Sequence, residues 1–105
     1  MKRINATDAK QLQDDGWTYV DVRTENEFAA GHPKGAVNIP FNAPNFLDLV
    51  KAKFQPDAKL VVGCQVGGRS MRASALLEQQ GYQNLADNAG GYEDWSRQKL
   101  PSEKK

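Results

Sequence analysis

The stretch Leu60-Val61-Val62-Gly63-Cys64-Gln65-Val66-Gly67-Gly68-Arg69-Ser70 decides the fold class. Its apolar run shows no polar alternation, which suits a strand buried on both faces, as in a parallel sheet. Cys64 to Arg69 reads as a loop. Ser70 is placed to cap a helix running to Gln80, with Ala73, Leu76 and Leu77 on its inner face and Gly81 as its stop. A buried strand, a glycine-containing loop and a helix make the leading half of a βαβ unit.

Outward from this centre, strand and helix signals alternate. Thr7 or Asp8 is placed to cap a short helix that runs towards Asp15 and stops at Gly16. Trp17 to Val22 is aromatic and β-branched and reads as a strand. Thr24-Glu25-Asn26-Glu27 has capping-box spacing and starts a brief helix that Gly31 ends. Ala36 to Ile39 is a second strand, stopped by Pro40. Phe46, Leu47, Leu49, Val50 and Phe54 have helical spacing, closed by Pro56-Asp57. Asn84-Leu85-Ala86 reads as the last strand and Tyr92 to Gln98 as the last helix. The alternation predicts an α/β fold with a mainly parallel sheet, one domain over residues 1–100, and a disordered polar tail over 101–105.

Bulk properties narrow the function. With 105 residues, 39% hydrophobic and 26% charged, the chain has room for one modest core. A net charge of +1 gives no global field for nucleic acid or an anionic membrane, and no run approaches a membrane span. One cysteine and one histidine permit no internal disulfide and are too few for a zinc site, so neither a metal nor a cofactor is expected. No signal peptide is visible in Met1-Lys2-Arg3-Ile4-Asn5, so a complete chain of this sequence is expected to be cytosolic.

The loop carries the chemistry. Cys64 follows a buried strand and precedes a helix, and ligands of open α/β sheets bind at the strands' carboxyl ends. The helix presents unpaired N–H groups and its positive dipole end to the loop. Gly67 and Gly68 let the backbone curl its amides inward as an anion nest. A thiolate in that nest is stabilised, so the Cys64 pKa is expected below the free value of about 8.5. Arg69 adds a fixed positive charge at the rim or braces the loop. Singly, each residue also fits a plainer reading: a small buried cysteine, an ordinary glycine turn and an exposed arginine.

Gly63-Cys64-Gln65-Val66-Gly67-Gly68-Arg69-Ser70 resembles the active-site loop of single-domain rhodaneses. Asp21-Val22-Arg23 with Glu27-Phe28, Gly31-His32, Gly35-Ala36 and Asn38-Ile39-Pro40 is similar to that family's first signature, and Gly90-Gly91-Tyr92 with Trp95 to its last. Pro33-Lys34 departs from the usual apolar residue followed by Pro. The resemblance implies a five-stranded parallel sheet flanked by helices. It implies Cys64 as nucleophile and Gln65, Val66, Gly67, Gly68, Arg69 and Ser70 as the substrate-binding loop. It also implies transfer of sulfur from thiosulfate, through a Cys64 persulfide, to cyanide or a thiol, by ping-pong kinetics. With no second cysteine, the acceptor must come from outside, either a small thiol or a partner such as thioredoxin.

Other residues read as structural. Asp21, Arg23 and Glu27 suit an ion-pair or cap network, because no histidine is adjacent. His32 belongs, by the resemblance, to a turn. Trp95 and Tyr92 suit core and rim packing, and Gly90-Gly91 a tight turn or close backbone approach. Two other functions compete. A cysteine phosphatase or arsenate reductase also holds a thiolate in an amide nest closed by Arg. The phosphatases that share the fold have one residue more between Cys and Arg and a His before Cys, whereas here Gly63 precedes Cys64. The other is a relay passing sulfur between proteins.

Overall fold

Two alternating sets of side chains explain the layers of the computed structural model, which describes residues 1–105. The strands are β1 (Lys2–Ile4), β2 (Thr18–Asp21), β3 (His32–Pro33), β4 (Val37–Asn38), β5 (Lys59–Gly63), β6 (Asn84–Asn88) and β7 (Ser102–Glu103). The helices are α1 (Ala6–Asp14), α2 (Glu25–Ala30), α3 (Phe46–Lys53), α4 (Gly68–Gln79) and α5 (Gly91–Arg97). Val20, Val22, Leu60, Val62 and Leu85 face α3 and α4, meeting Phe46, Val50, Ala73 and Leu77. Tyr19, Val61 and Ala86 face the other way, onto Ala6 and Ala9 of α1 and Trp95 of α5. Period-two alternation feeding two cores is what a sheet covered on both faces requires.

The main sheet has five strands in the order β1-β6-β5-β2-β4, all parallel. From β2 the chain moves outward to β4; from β5 it moves the opposite way to β6. The strand order therefore reverses between β2 and β5, and a crevice opens at their carboxyl ends. Asp21 and Gly63 are register partners there, so Arg23 and Cys64 emerge side by side.

Three expectations are corrected. Asn5, not Thr7 or Asp8, caps α1, its side chain accepting the Asp8 N–H at 2.8 Å. This places α1 directly after β1, a three-residue edge strand whose pattern was too short to read. Ser70 is not a cap: Gly67, three residues earlier and at φ +99°, turns the chain into α4. The Ser70 hydroxyl lies inside the first turn and donates back to the Gly67 carbonyl at 3.3 Å. The tail is ordered. Residues Ser102 and Glu103 pair antiparallel with Pro33 and His32, and the Trp95 indole N–H donates to the Pro101 carbonyl at 2.9 Å. A fully buried indole needs an acceptor, and the tail supplies it.

Candidate active site

Cys64 follows β5, only 2% exposed, with the loop to Gly67 folded over its sulfur. The Gly67 N–H donates to Sγ at 3.0 Å, and Ser70 Oγ lies 3.5 Å from Sγ. Burial alone raises the pKa of the thiol. The Ser70 hydroxyl and the backbone N–H groups of Ser70, Gly67 and Val66 more than offset it, and the net direction is down.

The amides point inward because their carbonyls are held outward. The Tyr92 and Glu93 N–H groups, at the start of α5, donate to the carbonyls of Cys64 (2.8 Å) and Gln65 (3.1 Å). Every peptide is trans, so the N–H groups of Gln65 and Val66 face away from α5, into the loop. This contact needs Gly91, at φ +64°, where a Cβ would lie 2.3 Å from the Gln65 carbonyl oxygen. On the other flank, Arg3 reaches from β1. Its Nη2 donates to the Gly67 carbonyl at 3.2 Å while Nε donates to Asp87 at 2.8 Å. Gly67 is equally constrained, since a Cβ there would lie 2.2 Å from the Ala89 carbonyl oxygen.

The neighbouring charges are paired. Arg23 makes a buried two-pronged ion pair with Asp21, with its shortest bond, from Nη2, 2.7 Å. Two further Arg23 N–H groups reach the Gly31 carbonyl and the Gln65 side chain, and the guanidinium sits 4.6 Å over the Tyr92 ring. Pairing and hydrogen bonding of this kind offset the cost of burying the charge. Arg69 donates twice to Glu27, at 2.7 and 3.0 Å. Those bonds hold the Glu27 carboxyl at about 2, well below its usual range, with the Thr24 N–H assisting against partial burial. His32 is remote from this chemistry: Nδ1 donates to the Phe28 carbonyl at 2.7 Å and Nε2 faces Glu103.

The sequence-read loop residues thus fall into distinct places. Cys64, Gly67 and Ser70 converge on the sulfur. The Val66 amide faces inward while its side chain, 64% exposed, forms the apolar tip of the mouth. Gln65 turns to Arg23, Arg69 to Glu27, and Gly68 is exposed at the start of α4. A cleft of about 260 Å³ adjoins the loop, lined by Arg23, Glu27, Ala30, Gly31, Gln65 and Tyr92. A larger hollow of about 510 Å³, between Lys2, Trp17 and Asn84, lies at the amino ends of β1 and β6, away from Cys64. Sequence reasoning missed Arg3 and the Arg69–Glu27 bond. The Thr24–Glu27 spacing signalled only a cap, although a carboxylate keeps oxygen capacity beyond that role.

Comparison with known proteins gives the family. The family model described as rhodanese-like domain matches residues 5–98. The chain is 37% identical over 108 residues to thiosulfate sulfurtransferase 16, chloroplastic, of Arabidopsis thaliana, covering 94% of this chain and 90% of that protein. It is 36% identical over 104 residues to senescence-associated protein DIN1 of Raphanus sativus, covering 90% of this chain but only 57% of that protein's length. Its fold superposes on the polysulfide-sulfur transferase homodimer of Wolinella succinogenes with a TM-score of 0.82 at 28% identity, covering all of this chain and 80% of that one. With the thiol loop at the switch point of a five-stranded parallel sheet, and a family model spanning nearly the whole chain, this protein belongs to the rhodanese-like family of sulfurtransferases.

Proposed function

We propose that this protein transfers sulfane sulfur through a persulfide on Cys64, with thiosulfate or a related compound as donor and cyanide or a thiol as acceptor. The observation that carries the reading is the inward-facing amide set around a single, nearly buried sulfur. The thiolate attacks the donor's outer sulfur. The donor's S–S bond breaks, its electron pair leaves with sulfite, and the negative charge rests on the new terminal sulfur. The nest amides and the start of α4 favour that charge where it forms. An acceptor thiolate or cyanide then attacks the terminal sulfur, and the pair of the broken S–S bond returns to Cys64.

With Cys64 the only cysteine, no group within the chain can displace the persulfide as a disulfide. The acceptor is external: cyanide, a small thiol, or the cysteine of a protein such as thioredoxin. The test is intact-mass spectrometry after exposure to thiosulfate and desalting. One added sulfur, removed by cyanide or dithiothreitol and never gained by a folded Cys64→Ser variant, is the expected result. Sulfur transfer by that variant would overturn the reading.

A further inference from the structure

We infer that Glu27 is a specificity-determining residue: by holding Arg69 in a two-bond ion pair at the rim of the loop, it makes the site discriminate against dianionic sulfur donors and favour singly charged ones. The inference rests on the sulfur-transfer reading of Cys64. Its basis is a matching of charges around the sulfur. Arg23 is bound to Asp21, Arg3 to Asp87 and Arg69 to Glu27. The thiolate therefore meets amide dipoles and a hydroxyl, with no unpaired cation in the loop. Arg72, one turn further along α4, is exposed, and water screens it.

Amides and cations treat donors differently. A nest suited to one persulfide charge gains little from the second charge of thiosulfate, which a free guanidinium would bind strongly. Glu27 cannot easily release Arg69. Its Oε1 also accepts the Thr24 N–H and hydroxyl, both at 3.1 Å, and its own N–H donates to Thr24 Oγ1. The carboxylate is anchored by its own helix cap, and Arg69 is anchored to it.

Glu27→Gln separates charge from structure, because Gln keeps the capping box. The experiment follows persulfide loading by stopped-flow with thiosulfate, a dianion, and methanethiosulfonate, a monoanion that gives up the same sulfur and releases methanesulfinate. The pH is kept high enough that Cys64 is fully thiolate in every variant. Coulomb energy scales with the donor's charge, so the logarithm of the rate gain for thiosulfate should be twice that for methanethiosulfonate. A gain of about tenfold against about threefold is expected at low salt, converging at high salt. Arg69→Gln should shift the donor ratio the opposite way. Glu27→Gln with Arg69→Gln should restore the wild-type ratio. Equal changes for both donors in Glu27→Gln, or a shift surviving in the double variant, would refute the inference alone. A wild-type protein that takes sulfur from neither donor would refute the sulfur-transfer reading itself.

Discussion

Ser70→Ala isolates what lowers the Cys64 pKa. Ser70 is fully buried, its hydroxyl lies 3.5 Å from Sγ, and it is the largest of the influences that favour the thiolate. Hydrogen bonds to charged groups contribute about 1.5–3 kcal/mol, and a long contact to sulfur belongs at the low end. We take about 1.5 kcal/mol, the bottom of that range, so losing the hydroxyl raises the Cys64 pKa. The Gly67 carbonyl, to which the hydroxyl donates when it is not turned to the thiolate, keeps the Met71 N–H and Arg3 as donors, so the loop retains its shape. Below both pKa values the thiolate fraction falls about tenfold. A more basic thiolate is also about threefold more nucleophilic. Iodoacetamide labelling should therefore slow only about threefold at pH values below both pKa values and reach a plateau about threefold higher at alkaline pH.

Ser74→Ala is the matched control: the same deletion, one turn along α4, of a buried hydroxyl with no hydrogen-bond partner. Its labelling curve should superpose on wild type. Denaturant midpoints give a second readout. A folded-state pKa below the unfolded value, about 8.5, adds stability that is present in full above that value and lost as pH falls through the native pKa. The unfolded state is the same for both, so the stability difference between wild type and Ser70→Ala should widen as pH rises through the wild-type native pKa and level off above that of the variant. An unchanged labelling pKa in Ser70→Ala, or an equal shift in Ser74→Ala, would refute the argument.

Other variants test how the loop is held. Gly91→Ala puts a Cβ against the Gln65 carbonyl at a positive φ and should destabilise by about 2–3 kcal/mol, with sulfur transfer falling more than tenfold, checked by thermal melts and cyanide-release rates. Arg3→Ala removes a donor from the Gly67 carbonyl and strands Asp87, a fully buried carboxylate whose Oδ1 already lacks a partner. It should destabilise by about 2–3 kcal/mol, and Asp87→Asn in the same background should recover part of that loss.

The central strand, its helix and the thiol between them were legible because they rest on local chemistry. An apolar run with no alternation, two glycines and a following amphipathic helix admit few arrangements. The capping box at Thr24 was legible for the same reason, and both of its reciprocal bonds are present. Three-residue β1 was not legible, since Lys2-Arg3-Ile4 carries no periodicity and pairs only because β6 offers an open edge. The tail was misread because its partner, His32-Pro33, lies 71 residues away in sequence, counted from His32 to Glu103. Polar composition describes a segment alone, whereas strand pairing belongs to two segments.

The same distinction governs the site. Cys64 and its glycines announce a nest, but the direction in which a nest's amides point is set by what holds its carbonyls. Those holders are the start of α5, reached 27 or more residues later, and Arg3, more than 60 residues earlier. Arg69 shows the consequence for function. Read locally, a guanidinium beside a thiolate loop suggests an anion hook, as in a phosphatase. In three dimensions the capping carboxylate of α2 has taken that charge, leaving oriented peptide dipoles as the means of stabilising the anion. Peptide dipoles aimed at one buried sulfur favour a charge that appears at that position. A tetrahedral oxyanion would call in addition on a free cation at the rim, and Arg69 is already committed to Glu27. Placing Glu27 in a capping box therefore ties a local rule of helix initiation to the choice of substrate charge.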